Sequence, residues 1–222
     1  FIAVSPFNYE ENYLLYIPND LPKTQMGSEQ EAKCLAEQIC RLVEATHGHT
    51  LVAFYFLFPH GRCLQSVKDR LSFPLMEVWR HSQDVIHQFK QASNGCAVRG
   101  GLLLGRCGLS RRYGVVAHTC AAAVPCSRSI ERSGTGAVPN AAGLYQNRSN
   151  PRYAGKAAAG FGRAIRTETD TCVVSILDYR AAPGERYHKA VLETLPNLRL
   201  TRKIEDVEEF IRAKKGPDYF MP

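Results

Sequence analysis

The sequence predicts an α/β domain built on a parallel sheet. Two apolar runs, Thr50–Phe58 and Thr171–Leu177, are almost unbroken, which is the pattern of strands covered on both faces. Segments with apolar residues at helical spacing alternate with them. The 222 residues, 45% apolar and 22% charged, are enough for one large core or two small ones. Twelve Pro and 17 Gly are too few for a disordered or collagenous chain. No apolar run approaches the length of a membrane span, so no membrane partner is expected. The chain begins at Phe1 with neither an initiator Met nor a signal-peptide pattern, which reads as a piece of something longer.

Taken in order, Asn12–Ile17 (N-Y-L-L-Y-I) reads as a short strand of aromatic and branched residues. Ser28 reads as an N-cap, with Glu31 three residues on completing a capping box. Behind it Ala32, Leu35, Ala36, Ile39, Leu42 and Val43 recur at helical spacing, giving one amphipathic helix to about Ala45. A turn at Thr46–His49 leads into the Thr50–Phe58 strand. Helices are expected at Gly61–Leu71 and His81–Ala92, the second carrying Val85, Ile86 and Phe89. Past Ala159, Phe161–Thr167 reads as a helical turn and Thr171–Leu177 as a buried strand. Tyr187–Leu195 and Ile204–Ala213 read as closing helices. The two flanks, 1–95 and 160–222, agree on a single domain.

The middle disagrees with both. Residues 96–159 hold nine Lys/Arg and one acid, Glu131, and so carry +8 of a net +7; the rest of the chain carries −1. A basic pI normally points to nucleic acid, but here it belongs to one aperiodic segment rich in Gly, Ala and Arg. So long a structureless stretch argues against its own reading. Cysteines divide in the same way: Cys96, Cys107, Cys120 and Cys126 lie inside, and Cys34, Cys40, Cys63 and Cys172 outside. No C-x-x-C pair occurs, so zinc and redox readings are weak and buried thiols are the better one.

The residues G-F-G-R-A-I-R-T-E-T-D-T-C-V-V-S-I-L-D-Y-R, Gly160 to Arg180, resemble motif VI of the XPD/DinG-type superfamily 2 DNA helicases. That motif reads Q-x-x-G-R-x-I-R, then an acidic turn, a buried strand and D-x-R. Ser5–Pro18 (S-P-F-N-Y-E-E-N-Y-L-L-Y-I-P) resembles the opening of the family's second motor domain, and Thr50–Phe56 sits where the family has a T-L-V-L-F-T-S strand. The resemblance covers 1–95 and 160–222. It implies a RecA-like parallel sheet flanked by helices, the second domain of a P-loop NTPase-type helicase, with its central part disrupted. It also implies Arg163 and Arg166 as arginine fingers on ATP, with Gly160, Gly162 and Asp170 beside the nucleotide. The chemistry suits those residues. Two arginines three apart share one helix face, and a guanidinium fork stays ionised beside a γ-phosphate. Asp170, Asp178 and Arg180 are expected to link this helix to the strand end by ion pairs, in a structural role at least as much as a catalytic one.

Two departures stand out: the family's Gln falls on Ala159, and motif V is missing as written. A reading displaced by one nucleotide accounts for both. With synonymous codons chosen freely, Cys96–Arg112 becomes A-L-F-A-A-G-S-C-W-E-G-V-D-F-P-G-D, which resembles motif V (G-S-x-W-E-G-x-D). Val115–Ser129 becomes S-S-L-I-L-V-R-L-P-F-P-V-P-D-P, and Ala137–Ala159 becomes Q-Y-P-T-L-Q-D-Y-I-K-T-V-V-I-P-D-M-Q-E-K-L-R-Q, ending on the missing Gln. The competing explanation is a genuine basic insertion. As written, the segment predicts a domain short of a core strand, with incomplete burial of the neighbouring strands.

No G-x-x-x-x-G-K-[ST] or D-E-x-H string occurs, and Gly155-Lys156-Ala157 lacks the leading glycine and the hydroxyl. ATP with Mg²⁺ is therefore expected on a first motor domain outside this sequence, with no cofactor or metal held by this chain alone. His47 and His49 (H-G-H) have no partner cysteine or carboxylate cluster and read as a polar turn before a metal site. Trp79 and Tyr55 read as core before base-stacking platforms. Arg212, Lys214 and Lys215 read as a solvated helix end. The resemblance implies a cytoplasmic ATP-dependent DNA helicase in DNA repair, moving on single-stranded or forked DNA, whose isolated second domain is inactive. The rivals are a non-enzymatic basic nucleic-acid-binding module, gripping phosphates through Arg99, Arg106, Arg111 and Arg112, and the inactive product of a decayed or mis-sequenced helicase gene.

Overall fold

The computed structural model describes residues 8–24, 28–54, 60–78, 83–92, 94–100, 115–119, 171–195 and 199–221. A single helical turn, α1 (Tyr9–Asn12), leads into β1 (Tyr13–Tyr16), and α2 (Glu29–Ala45) carries the chain to β2 (Thr50–Phe54). Next come α3 (His60–Lys68), β3 (Leu75–Val78), α4 (Gln83–Gln91), β4 (Cys96–Gly100) and β5 (Val115–Thr119). The chain closes with β6 (Cys172–Ile176), a 3-10 turn (Tyr179–Ala181), α5 (His188–Thr194), β7 (Arg199–Thr201), α6 (Ile204–Lys214) and a last 3-10 turn (Pro217–Tyr219).

The strands form one seven-stranded sheet in the order β3-β4-β2-β5-β6-β1-β7. Every pairing is parallel. The buried strands explain this choice: Tyr13–Tyr16 and Cys172–Ile176 are buried at every position, so each needs cover on both faces. On one face α2, α3 and α6 pack together over Leu14, Tyr16, Val52, Cys96 and Val173. On the other, Leu51, Val78 and Phe89 of α4 form a second cluster. Leu51 and Val52 divide between the two clusters because side chains alternate along a strand.

α2 starts where its cap predicts. The Ser28 hydroxyl accepts from the Glu31 N–H at 3.1 Å, and the apolar stripe Ala32–Leu35–Ala36–Ile39–Leu42–Val43 is buried. It ends in a left-handed turn, with His47 at φ 50° and Gly48 at φ 92°. A Cβ at Gly48 would stand 2.5 Å from the Asn94 carbonyl oxygen, so only glycine fits.

One expectation is overturned. The segment 96–159 supplies β4 and β5, and β5 sits between β2 and β6, so the sheet lacks no core strand at that point. Thr50, Val52 and the whole of β6 are buried, not partly exposed. The remainder of that segment, 101–114 and 120–159, lies outside the described residues. No helix among the described residues is long and apolar enough to cross a membrane.

Candidate functional site

In a parallel sheet, ligands gather at the carboxyl ends of strands whose connections leave in opposite directions. Here the connection after β1 runs toward β2 and the connection after β6 runs toward β7, so a crevice opens between their carboxyl ends. The loop Asn19–Thr24 forms one bank. The segment Leu177–Glu185 forms the other.

Asp178 builds the second bank. Its carboxylate accepts the Arg180 backbone N–H at 2.9 Å, opening the 3-10 turn. The same carboxylate takes the Arg180 guanidinium as a fork, Nε to Oδ1 at 3.0 Å and Nη2 to Oδ2 at 2.9 Å. Asp178 is 5% exposed. The Arg180 guanidinium carbon also lies 5.6 Å from the Tyr187 ring centroid and 5.9 Å from that of Tyr179. A planar fork held bidentately and set beside two aromatic rings is a fixed element. The structure thus pairs Asp178 with Arg180, and the pair serves the loop.

The first bank is tied to α2. Tyr16 donates its hydroxyl to Gln38 Oε1 at 3.3 Å, and Gln38 Nε2 donates to Asp20 Oδ2 at 3.1 Å. Burial pushes the Tyr16 phenol up to about 12, with the Asp20 charge adding to it. Across the crevice, Lys23 Nζ meets Glu185 Oε1 at 2.6 Å. That carboxylate holds the exposed Lys23 ammonium above the ordinary lysine range through its hydrogen bond. Beside this bridge is an open hollow of about 260 Å³, lined by Asn19, Leu21, Lys23, Tyr179, Ala182, Pro183, Glu185 and Arg202.

These residues do not fit Mg²⁺-ATP on their own. Among the described residues no group of three His, Cys, Asp or Glu side chains is placed to hold a metal ion, and Glu185 already occupies Lys23. Among the described residues the crevice is lined by polar side chains from both banks. The sequence reading named none of Asn19, Lys23, Glu185 or Arg202; their position just past the ends of β1, β6 and β7 is the signal that marks them.

Gly160, Gly162, Arg163, Arg166 and Asp170 lie outside the described residues, as do Trp79 and Tyr55. So do Arg106, Arg111 and Arg112. The block Gly160–Asp170 nevertheless runs directly into β6, whose carboxyl end carries Asp178 and Arg180. Lys215 departs from a solvated helix end, since it donates to the Thr171 carbonyl at 3.2 Å.

No family model matches the chain, and no curated protein matches it. Solved structures do. An XPD helicase matches at 20% identity with a TM-score of 0.50, over 85% of this chain and 35% of that one. The fold is XPD-like. S. tokodaii Xpd4 matches at 15% identity and a TM-score of 0.49, over 87% of this chain and 39% of its own. The chain spans less than two fifths of either of these two structures, and the likeness is one of fold.

Proposed function

We propose that this chain is the second RecA-like motor domain of an ATP-dependent DNA helicase of the XPD/DinG type. The observation that carries the reading is the block Gly160–Arg180: an R-x-x-R pair leads into a fully buried parallel strand that ends on the Asp178–Arg180 fork. Arg163 and Arg166 act as fingers toward a nucleotide held by a first motor domain, while Gly160, Gly162 and Asp170 shape the approach. ATP and Mg²⁺ belong to that first domain, and single-stranded or forked DNA is the track.

The register of the sheet supports the displaced reading of 96–159. β4 lies between β3 and β2, with Arg99 opposite Val78 and Ala53; β5 lies between β2 and β6, with His118 opposite Ala53 and Ile176. Interior parallel strands are apolar runs. The displaced reading puts Ala at position 99 and Ile at 118, within A-L-F-A-A and S-S-L-I-L, and restores motif V and the motif VI Gln. Resequencing the source DNA across the codons for Asn94–Arg163 tests it directly. A one-nucleotide slip near Gly95, compensated near Gly160, is the expected result, and an unbroken frame favours the basic binding module or decayed product.

For the activity, the 222-residue chain alone is expected to hydrolyse ATP no faster than buffer does. In the longer parent, Arg163→Ala and Arg166→Ala each lower kcat about 10³-fold, the scale of a lost finger, with ATP binding retained. Turnover by the chain alone, or full kcat in both variants, overturns the assignment.

A further inference from the structure

Asn94 and Gly95 stand just before β4, outside any helix or strand, with Asn94 in a bend. Asn94 is half-buried and so meets water, while Gly95 is buried. Asparagine followed by glycine is a favoured turn pair. It is also a reactive one. The glycine nitrogen has no side chain beside it to block an approach, and closing it onto the asparagine Cγ makes a five-membered ring. A helix or strand holds the backbone away from that closure; a bend does not. Both residues precede the segment 96–159, so they stand in either reading of the frame.

We propose that Asn94–Gly95 is a self-modification site, where Asn94 cyclises onto the Gly95 nitrogen and opens to isoaspartate or aspartate, loosening the start of β4. The Gly95 nitrogen gives its proton to hydroxide and attacks Asn94 Cγ. The N–Cγ bond forms, the Cγ–Nδ2 bond breaks, and ammonia leaves with a proton taken from water. Water then opens the succinimide. Cleavage of the new N–Cγ bond gives aspartate. Cleavage at the main-chain carbonyl leaves the chain running through Cβ and Cγ, as isoaspartate. Water is the only co-reactant, and because the attacking amide must first lose its proton, the rate climbs with pH.

The neighbours make the change felt. The Asn94 carbonyl oxygen lies over Gly48, 2.5 Å from where a Cβ there would stand. Two residues on, the Cys96 N–H donates to the Pro74 carbonyl at 2.8 Å. Isoaspartate adds an atom to the main chain between these two contacts and turns the carbonyl over Gly48 into a carboxylate, a charge set where a neutral group packed. Gly95 itself can be replaced. A Cβ there would meet Ala92, Met76 and Phe89 at 3.4 to 3.5 Å, and its φ is not positive, so Gly95→Ala fits the fold and shields the nitrogen.

The folded 222-residue chain, held at pH 8.5 and at pH 6, reads this by peptide mass spectrometry with fragmentation that tells isoaspartate from aspartate. Asn94 is expected to lose its amide several times faster than Asn8, Asn12 or Asn19, which precede Tyr9, Tyr13 and Asp20, and faster at pH 8.5. Gly95→Ala slows the loss several-fold. The aged fraction, separated by its added negative charge, melts below fresh chain. Conversion at Asn94 only after urea is added, conversion no faster than at the other three, or an unchanged rate in Gly95→Ala overturns the site. An aged fraction that melts with the fresh chain overturns the loosening of β4.

Discussion

At the residue scale, the Asp178–Arg180 fork shows how a charged pair is tolerated inside the fold. Side-chain exposure is 13% for Arg180 and 3% for Asp178, so deleting one partner strands a buried charge. Arg180→Ala is expected to cost about 3–5 kcal/mol, whereas Arg180→Ala with Asp178→Ala costs less than the two single changes added together. Urea unfolding of the three variants measures both. The buried thiols give a second prediction. Burial pushes Cys63 and Cys96 up to about 12, so at pH 8 only about one in 10⁴ is thiolate. Iodoacetamide followed by peptide mass spectrometry is expected to label the partly exposed Cys34 well before either. Raised thiol pKa values also mean that stability is complete below the unfolded thiol range, near pH 8.5, and declines as pH rises from there toward 12.

At the element scale, α2 is the organiser, since it joins β1 to β2 and packs against both α3 and α6. Its Ser28 cap satisfies a free N–H, and Ser28→Ala is expected to lower stability by about 1 kcal/mol. Leu42→Ala, at 0% exposure in the core between these helices, is expected to cost about 2–5 kcal/mol. Thermal melts rank the two. This helix was legible because the cap and the 3.6-residue stripe are local signals, as were β2 and β6, whose apolar runs leave little choice. Other elements were not. β3 is an edge strand carrying Glu77 behind Pro74; β7 is the three residues R-L-T; α1 is one turn. None is long enough for a period to show. The site was legible only where it is local. Asp178 and Arg180 stood out in sequence, although their pairing with each other did not. The Lys23–Glu185 bridge and the stack of the buried His49 ring on Tyr219, 4.0 Å between centroids, join distant segments, and no spacing rule announces them.

At the scale of the whole molecule, the sheet and the reading frame bear on the same question. The order β3-β4-β2-β5-β6-β1-β7 makes β4 and β5 interior strands, bordered on both edges by other strands. As written they read C-A-V-R-G and V-V-A-H-T, which places an arginine and a histidine at interior register positions. Interior strands of a parallel sheet are apolar runs, and the displaced reading removes both Arg99 and His118 from these two. A chain carrying the displaced reading throughout 96–159 is therefore expected to melt in one sharp transition, where the chain as written melts broadly at lower temperature. Circular dichroism of the two polypeptides under identical conditions decides it. If the displaced chain gains nothing, the written strands are the ones this sheet was built around, and the basic segment belongs to the protein.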